Sequence, residues 1–445
     1  MPARSSFYLA PGLVLLLAGV VSFVYGPRLR RTSLVLGVFR TPASRDSVSL
    51  EHFSTVENTV HCEDLHYHES SKMLFTACED EETTRYSWFP PLTIFDDPTA
   101  ASKAQGSVKV IDPKTLKATT LRFDNFGPPF VTHGIDVIDD PDRQAGEAVY
   151  IFAVNHKPSS QHYEKANVSA PKSHSVVEVF HHVIGSESIR HVRSVWDPLI
   201  RTPNDILALS PTSFFVTNDH HYREGWLRML EDVNSGARWS NTIYVEFPAG
   251  GERPAEDYKV KASVALTGLH NNNGLGHGDA AHDVLLGSAA SGTLHLGRVQ
   301  GVNAARSITV VESIELDSSI DNPSYFADPF ANGTFDASGF VVCGLTRAID
   351  LGKNCRDPQA KDGVMVWKVA HQGGRGQQES KVESRAGSER WSKRLLFQDD
   401  GRRIRSSSSA VLIATDPAIN GGRRRAQLFV TGFLSRNIVS VGVDL

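Results

Sequence analysis

The sequence predicts an all-β protein, a six-bladed β-propeller with a few short helices at its active-site face and a hydrophobic segment at its N-terminus. Three observations carry this. After Thr41, runs of four to eight residues rich in Val, Ile, Phe and Tyr are punctuated by Gly, Asp, Asn and Pro, the pattern of short strands and turns. With 35 Gly and 22 Pro in 445 residues, turns are too frequent for long helices. Strand pairs recur at even intervals without an exact repeat, and at four strands and roughly 60 to 65 residues per blade the body of the chain makes six blades. The predicted domains are 1–40, a hydrophobic segment and linker, and 41–445, the propeller.

In chain order, the first element is the run from Phe7 to Tyr25, which carries no charge and is flanked by Arg4 and by Arg28, Arg30 and Arg31. It reads as an uncleaved signal-anchor or a signal peptide, with the body lumenal or extracellular; the arginines after it lean against that orientation. The sequons at Asn167 and Asn332 fit a glycoprotein of the secretory pathway. Clear strands are expected at 148–154, 176–180, 205–209, 213–217, 241–247, 283–286, 339–342, 364–369 and 427–432. The best helix runs from Tyr222 to Asp232, with Trp226, Met229 and Leu230 on one face, expected to pack on the β body, with a substrate-side lid or membrane-facing patch as the alternative. Two stretches, Glu79–Gly106 and Gln372–Ser409, read as loop excursions, the second solvated and mobile from its GGRGQQESK and RRIRSSSS composition.

Composition narrows the function. Lys plus Arg number 46 against 50 Asp plus Glu, a formal charge of −4, so there is no basic excess to neutralise phosphates and nucleic acid is not an expected partner. Four cysteines make no dense disulfide framework and show no CxxC spacing; Cys62 with Cys78, or Cys343 with Cys355, are possible pairs. Among 18 histidines there is no HExxH, and the chain has no GxSxG.

Four polar clusters stand where strands begin: Cys62-Glu63-Asp64, Pro203-Asn204-Asp205, Asn271-Asn272-Asn273 and Ile320-Asp321-Asn322. Each alone reads as a turn. Together, drawn from different blades, they supply side-chain oxygens to a central channel, and a mix of carboxylates and amides suits calcium. Neighbouring residues of a strand face opposite ways, so Glu63-Asp64 and Asn204-Asp205 can feed two stacked ions. One would be held by Glu63, Asn204, Asn273, Asp321 and Asn322, the other by Asp64 and Asp205.

These clusters, with His133-Gly134-Ile135, Val154-Asn155-His156, Thr217-Asn218-Asp219-His220 and Val342-Cys343-Gly344 in the same order, resemble the paraoxonase/arylesterase family of calcium-dependent propeller hydrolases from about residue 50 onward. The resemblance implies a catalytic calcium on the first ligand set and a structural one on Asp64, Asp205 and the Ile135 carbonyl. It also implies His133 as base, His156 as its partner, Asp219 and His220 near the site, and the Tyr222–Asp232 helix at its mouth. The sequence departs from the family in lacking the disulfide that closes the ring, so closure must rest on strand pairing. The long Gln372–Ser409 loop is also enlarged.

The expected chemistry is hydrolysis of a lactone or aryl ester, in which calcium polarises the carbonyl and His133 takes a proton from water while His156 relays it. Asp321 is the alternative base or nucleophile. Rival readings are a gluconolactonase-like or strictosidine-synthase-like propeller, and a membrane-tethered, calcium-braced propeller that binds a protein partner. Membrane association is expected through the N-terminal segment.

Overall fold

The structure, a computed structural model, describes residues 22–23, 25–41, 53–249, 259–372 and 390–445. Most of Phe7–Tyr25 and the middle of Gln372–Ser409 lie outside the described residues.

The nine expected strands all form, most of them longer than the apolar run that marks them, because ladder pairing extends into the flanking polar residues. With the other strands of the chain they assemble as six four-stranded antiparallel units, the second with a short added parallel edge strand. The innermost strands are Cys62–His68, Thr132–Asp139, Pro203–Ser210, Asn272–His277, Ser324–Phe326 and Ser407–Thr415. Each contacts the next, and the last returns to the first, which is a closed six-bladed propeller. A buried apolar core fills every gap between neighbouring blades, for example Phe75 and Ile135 between blades 1 and 2, and Phe152 and Ile206 between blades 2 and 3. Alternate residues of a strand enter the gaps on its two sides, so apolar runs such as 213–218 and 339–345 are buried throughout.

The ring closes by strand pairing. Phe53–Val56 forms the outer strand of blade 6, antiparallel to Ile438–Asp444 with Phe53 opposite Val441. The disulfide joins Cys62 to Cys78 across the two inner strands of blade 1, while Cys343 and Cys355 are free and buried. It closes a loop of sequence separation 16, for which loss of the cross-link costs about 3 kcal/mol. Reductant is therefore expected to lower the urea midpoint of the wild type and to leave Cys62→Ser/Cys78→Ser unchanged; an equal shift in both would place the sensitivity elsewhere.

Three expectations change. The helix is Trp226–Val233, and it is inverted: Arg228 and Glu231 are buried, whereas Trp226 and Met229 are 71% and 69% exposed. The polar face turns inward because it has partners there. Glu231 accepts from the backbone N–H groups of His221 and Tyr222, and Arg228 donates to the Pro91 carbonyl. Second, Glu79–Gly106 is an ordered cover, with a two-stranded hairpin of Trp88–Phe89 and Ile94–Phe95 whose Trp88 indole donates to the His156 carbonyl at 2.9 Å. Third, the end of the Gln372–Ser409 stretch is not solvated: Trp391–Asp399 is the outer strand of blade 5, and Ser406 to Ser409 are buried at the hub. Serine runs read as loop, yet these serines lie on the sixth inner strand, where their hydroxyls donate to the carbonyls of Gly344, Glu63 and Leu65.

Residues 25–35 form a helix, and the chain after it packs on the same face as the starts of the inner strands. Arg31 donates to the Ser291 and Gly292 carbonyls, and Ser319 N–H donates to the Val35 carbonyl. Among the described residues no helix is long and apolar enough to cross a membrane.

Candidate functional site

The inner strands all run the same way, so their first residues meet at one end of the axis. This places Glu63, His133, Asn204, Asn273 and Asp321-Asn322, distant in sequence, around one hub. Glycines permit the approach: a Cβ on Gly134 would lie 2.4 Å from the Asn204 carbonyl oxygen, and one on Gly274 would lie 2.5 Å from Asn322 Cα. Asn322 Nδ2 donates to Glu63 Oε1 at 3.1 Å, Thr217 Oγ1 donates to the Asn273 carbonyl at 2.5 Å, and the Asn322 backbone N–H donates to the Ser408 carbonyl.

Five buried oxygens here have no hydrogen-bond donor: Glu63 Oε2, Asn204 Oδ1, Asn273 Oδ1, Asp321 Oδ1 and Asn322 Oδ1. Buried acceptors are rarely left unpaired, since each forfeits its hydration. The same five residues form the first expected ligand set. Counted by His, Cys, Asp and Glu alone, no metal-holding cluster of three occurs among the described residues; this set is two carboxylates and three amides, a hard-oxygen donor group that fits calcium. Electrostatics agree. Burial first, then repulsion from Asp64 and Asp321, pushes the Glu63 carboxyl well above the usual range. Burial and neighbouring carboxylates do the same to Asp205 and Asp321. A dication would relieve all three.

The second expected set, one layer deeper, is arranged differently. Asp64 accepts from the backbone N–H groups of Leu65 and Ile135 and pairs with His66 Nε2 at 3.1 Å. Asp205 accepts from the Ile206 and Leu275 N–H groups. Neither carboxylate has an orphaned oxygen among the described residues. His66 also contacts Asp136 at 3.3 Å, and although burial works against its charge, Asp64 and Asp136 raise it to about 9, so a cation already stands beside Asp64.

His133 and His156 are buried and joined, Nδ1 to Nε2, at 3.1 Å, and His156 Nδ1 pairs with Ser175 Oγ at 2.8 Å. Phe89 of the cover packs its edge against the His133 ring, with centroids 5.1 Å apart. Burial, then the nearby Arg85 cation, lowers His133 to about 3, and burial, then His133 and Arg85, holds His156 well below its usual value, so both rings are neutral. Asp219 and His220 form their own pair at 3.0 Å, and His220 reaches Asp232 at 2.8 Å.

Sequence reasoning missed Arg85, His66, Ser175 and the serines of blade 6. Arg85 is fully buried, paired to Glu79 at 2.6 Å and donating to the His61 and Thr132 carbonyls. It sits in the acidic stretch that reads as loop, where a lone arginine gives no signal. Ser408 Oγ donates to the Glu63 carbonyl and Ser407 Oγ to the Gly344 carbonyl, tying blade 6 to the hub.

The arylesterase family model matches residues 129–335, a span that holds His133, His156, Asn204, Asn273 and Asp321-Asn322 but not Glu63. Serum paraoxonase/arylesterase 2 of Gallus gallus is 29% identical over 224 residues, 49% of this chain and 52% of that protein. Serum paraoxonase/arylesterase 1 of Mus musculus is 28% identical over 205 residues, 46% of this chain and 47% of that protein. The chain thus spans about half the length of the curated relatives it matches. Among solved structures, a luciferin-regenerating enzyme aligns with a TM-score of 0.42 at 10% identity, covering 88% of this chain and 96% of its own, a likeness that carries no functional weight. The family match, the two relatives and the ordered motifs make the chain similar to the paraoxonase/arylesterase family over about half of its length.

Proposed function

We propose that the protein is a calcium-dependent hydrolase of lactones or aryl esters, and that Glu63, Asn204, Asn273, Asp321 and Asn322 hold the catalytic ion. The observation that carries this is the set of five donorless buried oxygens converging at the hub. When bound there, calcium supplies positive charge for the carbonyl oxygen of the substrate. The rest falls to the chain. His133, neutral and enclosed, takes the proton of the attacking water on Nε2 as its own Nδ1 proton passes to His156 Nε2. His156 then carries the positive charge, its Nδ1 proton hydrogen-bonded to Ser175 Oγ, until a proton returns by the same path to the leaving alkoxide. The cover, through Trp88 and Phe89, excludes bulk water from this pair. Asp321 is the alternative base. A second, structural ion on Asp64, Asp205 and the Ile135 carbonyl belongs to the reading but lacks the orphaned oxygens that support the first.

The segment Phe7–Tyr25 and the outward Trp226 and Met229 support a secretory-pathway protein associated with a membrane surface. The deciding experiment measures metal content and turnover of aliphatic lactones and aryl esters on one preparation. The expected result is bound calcium with turnover that chelation removes. Calcium without turnover would instead leave a braced binding propeller, and turnover without calcium would end the metal assignment.

A further inference from the structure

A narrow pocket lies between the cover and blades 2 and 3; His156 and Ser175 line it, so it leads to the histidine pair. Its walls carry four cationic side chains, Lys172, Arg201, Arg223 and Arg228, against two carboxylates, Asp219 and Glu224. The pairings are uneven. Lys172 is matched by Glu224 at 2.6 Å, Arg228 by Asp232 at 2.8 Å, and Asp219 is taken up by His220. That leaves Arg201 and Arg223. Arg223 hydrogen-bonds a neutral acceptor, the Ser173 carbonyl, at 3.3 Å and shares the attraction of Glu224 with Lys172. The exposed Arg201 side chain has no ion pair or hydrogen bond among the described residues. The two guanidiniums are also close enough to oppose each other: burial, then Arg201, lowers the Arg223 pKa. An apolar ester gives such a pair nothing, whereas a planar or tetrahedral oxyanion matches both charge and fork geometry.

We infer that the pocket selects esters or lactones bearing a carboxylate or phosphate group, with Arg201 and Arg223 as the recognising pair. This rests on the hydrolase reading above and names the substrate class of the same site.

The test compares 4-acetoxybenzoate with its methyl ester on the full, calcium-loaded chain. The expected result is a kcat/KM at least tenfold higher for the anion at low salt, a preference that shrinks as salt screens the charges. Arg201→Gln and Arg223→Gln should each cut that anion-to-ester ratio several-fold, with Arg201→Lys keeping part of it. A ratio unchanged in both Gln variants overturns the assignment. Calorimetric binding of 4-hydroxybenzoate against its methyl ester separates this from the hydrolase question, since it needs no turnover. If neither ester is cleaved the hydrolase reading fails, and an anion affinity that drops severalfold in the Gln variants still supports the pair. Equal affinity for acid and methyl ester in the wild type defeats it.

Discussion

Exchange into a calcium chelator will abolish turnover and lower the melting temperature, and the drop will be larger at pH 8 than at pH 5. The sign follows from the hub carboxyls. Glu63, Asp205 and Asp321 have folded pKa values raised above their unfolded ones, by burial and then by repulsion from Asp64. For a group of that kind, the stabilisation is fully present below the unfolded pKa and is lost as pH rises through the folded value. Without calcium, the fold therefore weakens on going from acid to alkaline pH; with calcium bound, the carboxylates are already ionised against it and that loss disappears. An ion present at a hundredfold over its dissociation constant adds about 2.7 kcal/mol, which for 445 residues is roughly 3 °C in the melting temperature.

Glu63→Gln and Asp321→Asn sharpen the point. Each removes a repelling charge while keeping volume, so each should lower activity by about a hundredfold or more and leave the chelated protein as stable as the wild type or more so. Full activity in the chelator, or an identical melting shift at both pH values, would remove calcium from the hub.

His133→Gln is expected to lower kcat by about 10²- to 10⁴-fold, the usual worth of a positioned base. Its calcium-dependent melting shift should match the wild type, because His133 contributes none of the five orphaned oxygens. That split distinguishes it from Asp321→Asn, in which ion binding and turnover fall together. Turnover at the wild-type rate in His133→Gln would assign the proton to Asp321. Ser175→Ala should have a smaller effect, since it removes only the partner of the His156 Nδ1 atom.

Much of the fold was legible because strand alternation and turn residues are local. Nine runs placed strands correctly, and four polar clusters marked where inner strands begin. The hub was legible in part for the same reason: Glu63-Asp64, Asn204-Asp205, Asn273 and Asp321-Asn322 are each a polar interruption before an apolar run. Cys62 with Cys78 was one of two pairings that the sequence left open, and blade 1 brings these two together as opposite residues on adjacent strands.

What the sequence determined by itself was the number of blades, the residue types at the channel and the absence of a closing disulfide, all properties of order along the chain. Tertiary structure decided the rest. Only ring closure brings Ser408 of the sixth blade to the Glu63 carbonyl of the first. Only the folded cover lays Phe89 on His133 and buries Arg85 beside Glu79. Only packing turned the 226–233 helix with its charged face inward. The physical reason is the same in each case: the environment of a polar side chain is set by partners from other blades, and no local pattern records which charges will find a mate and which, like Arg201, will be left facing the pocket.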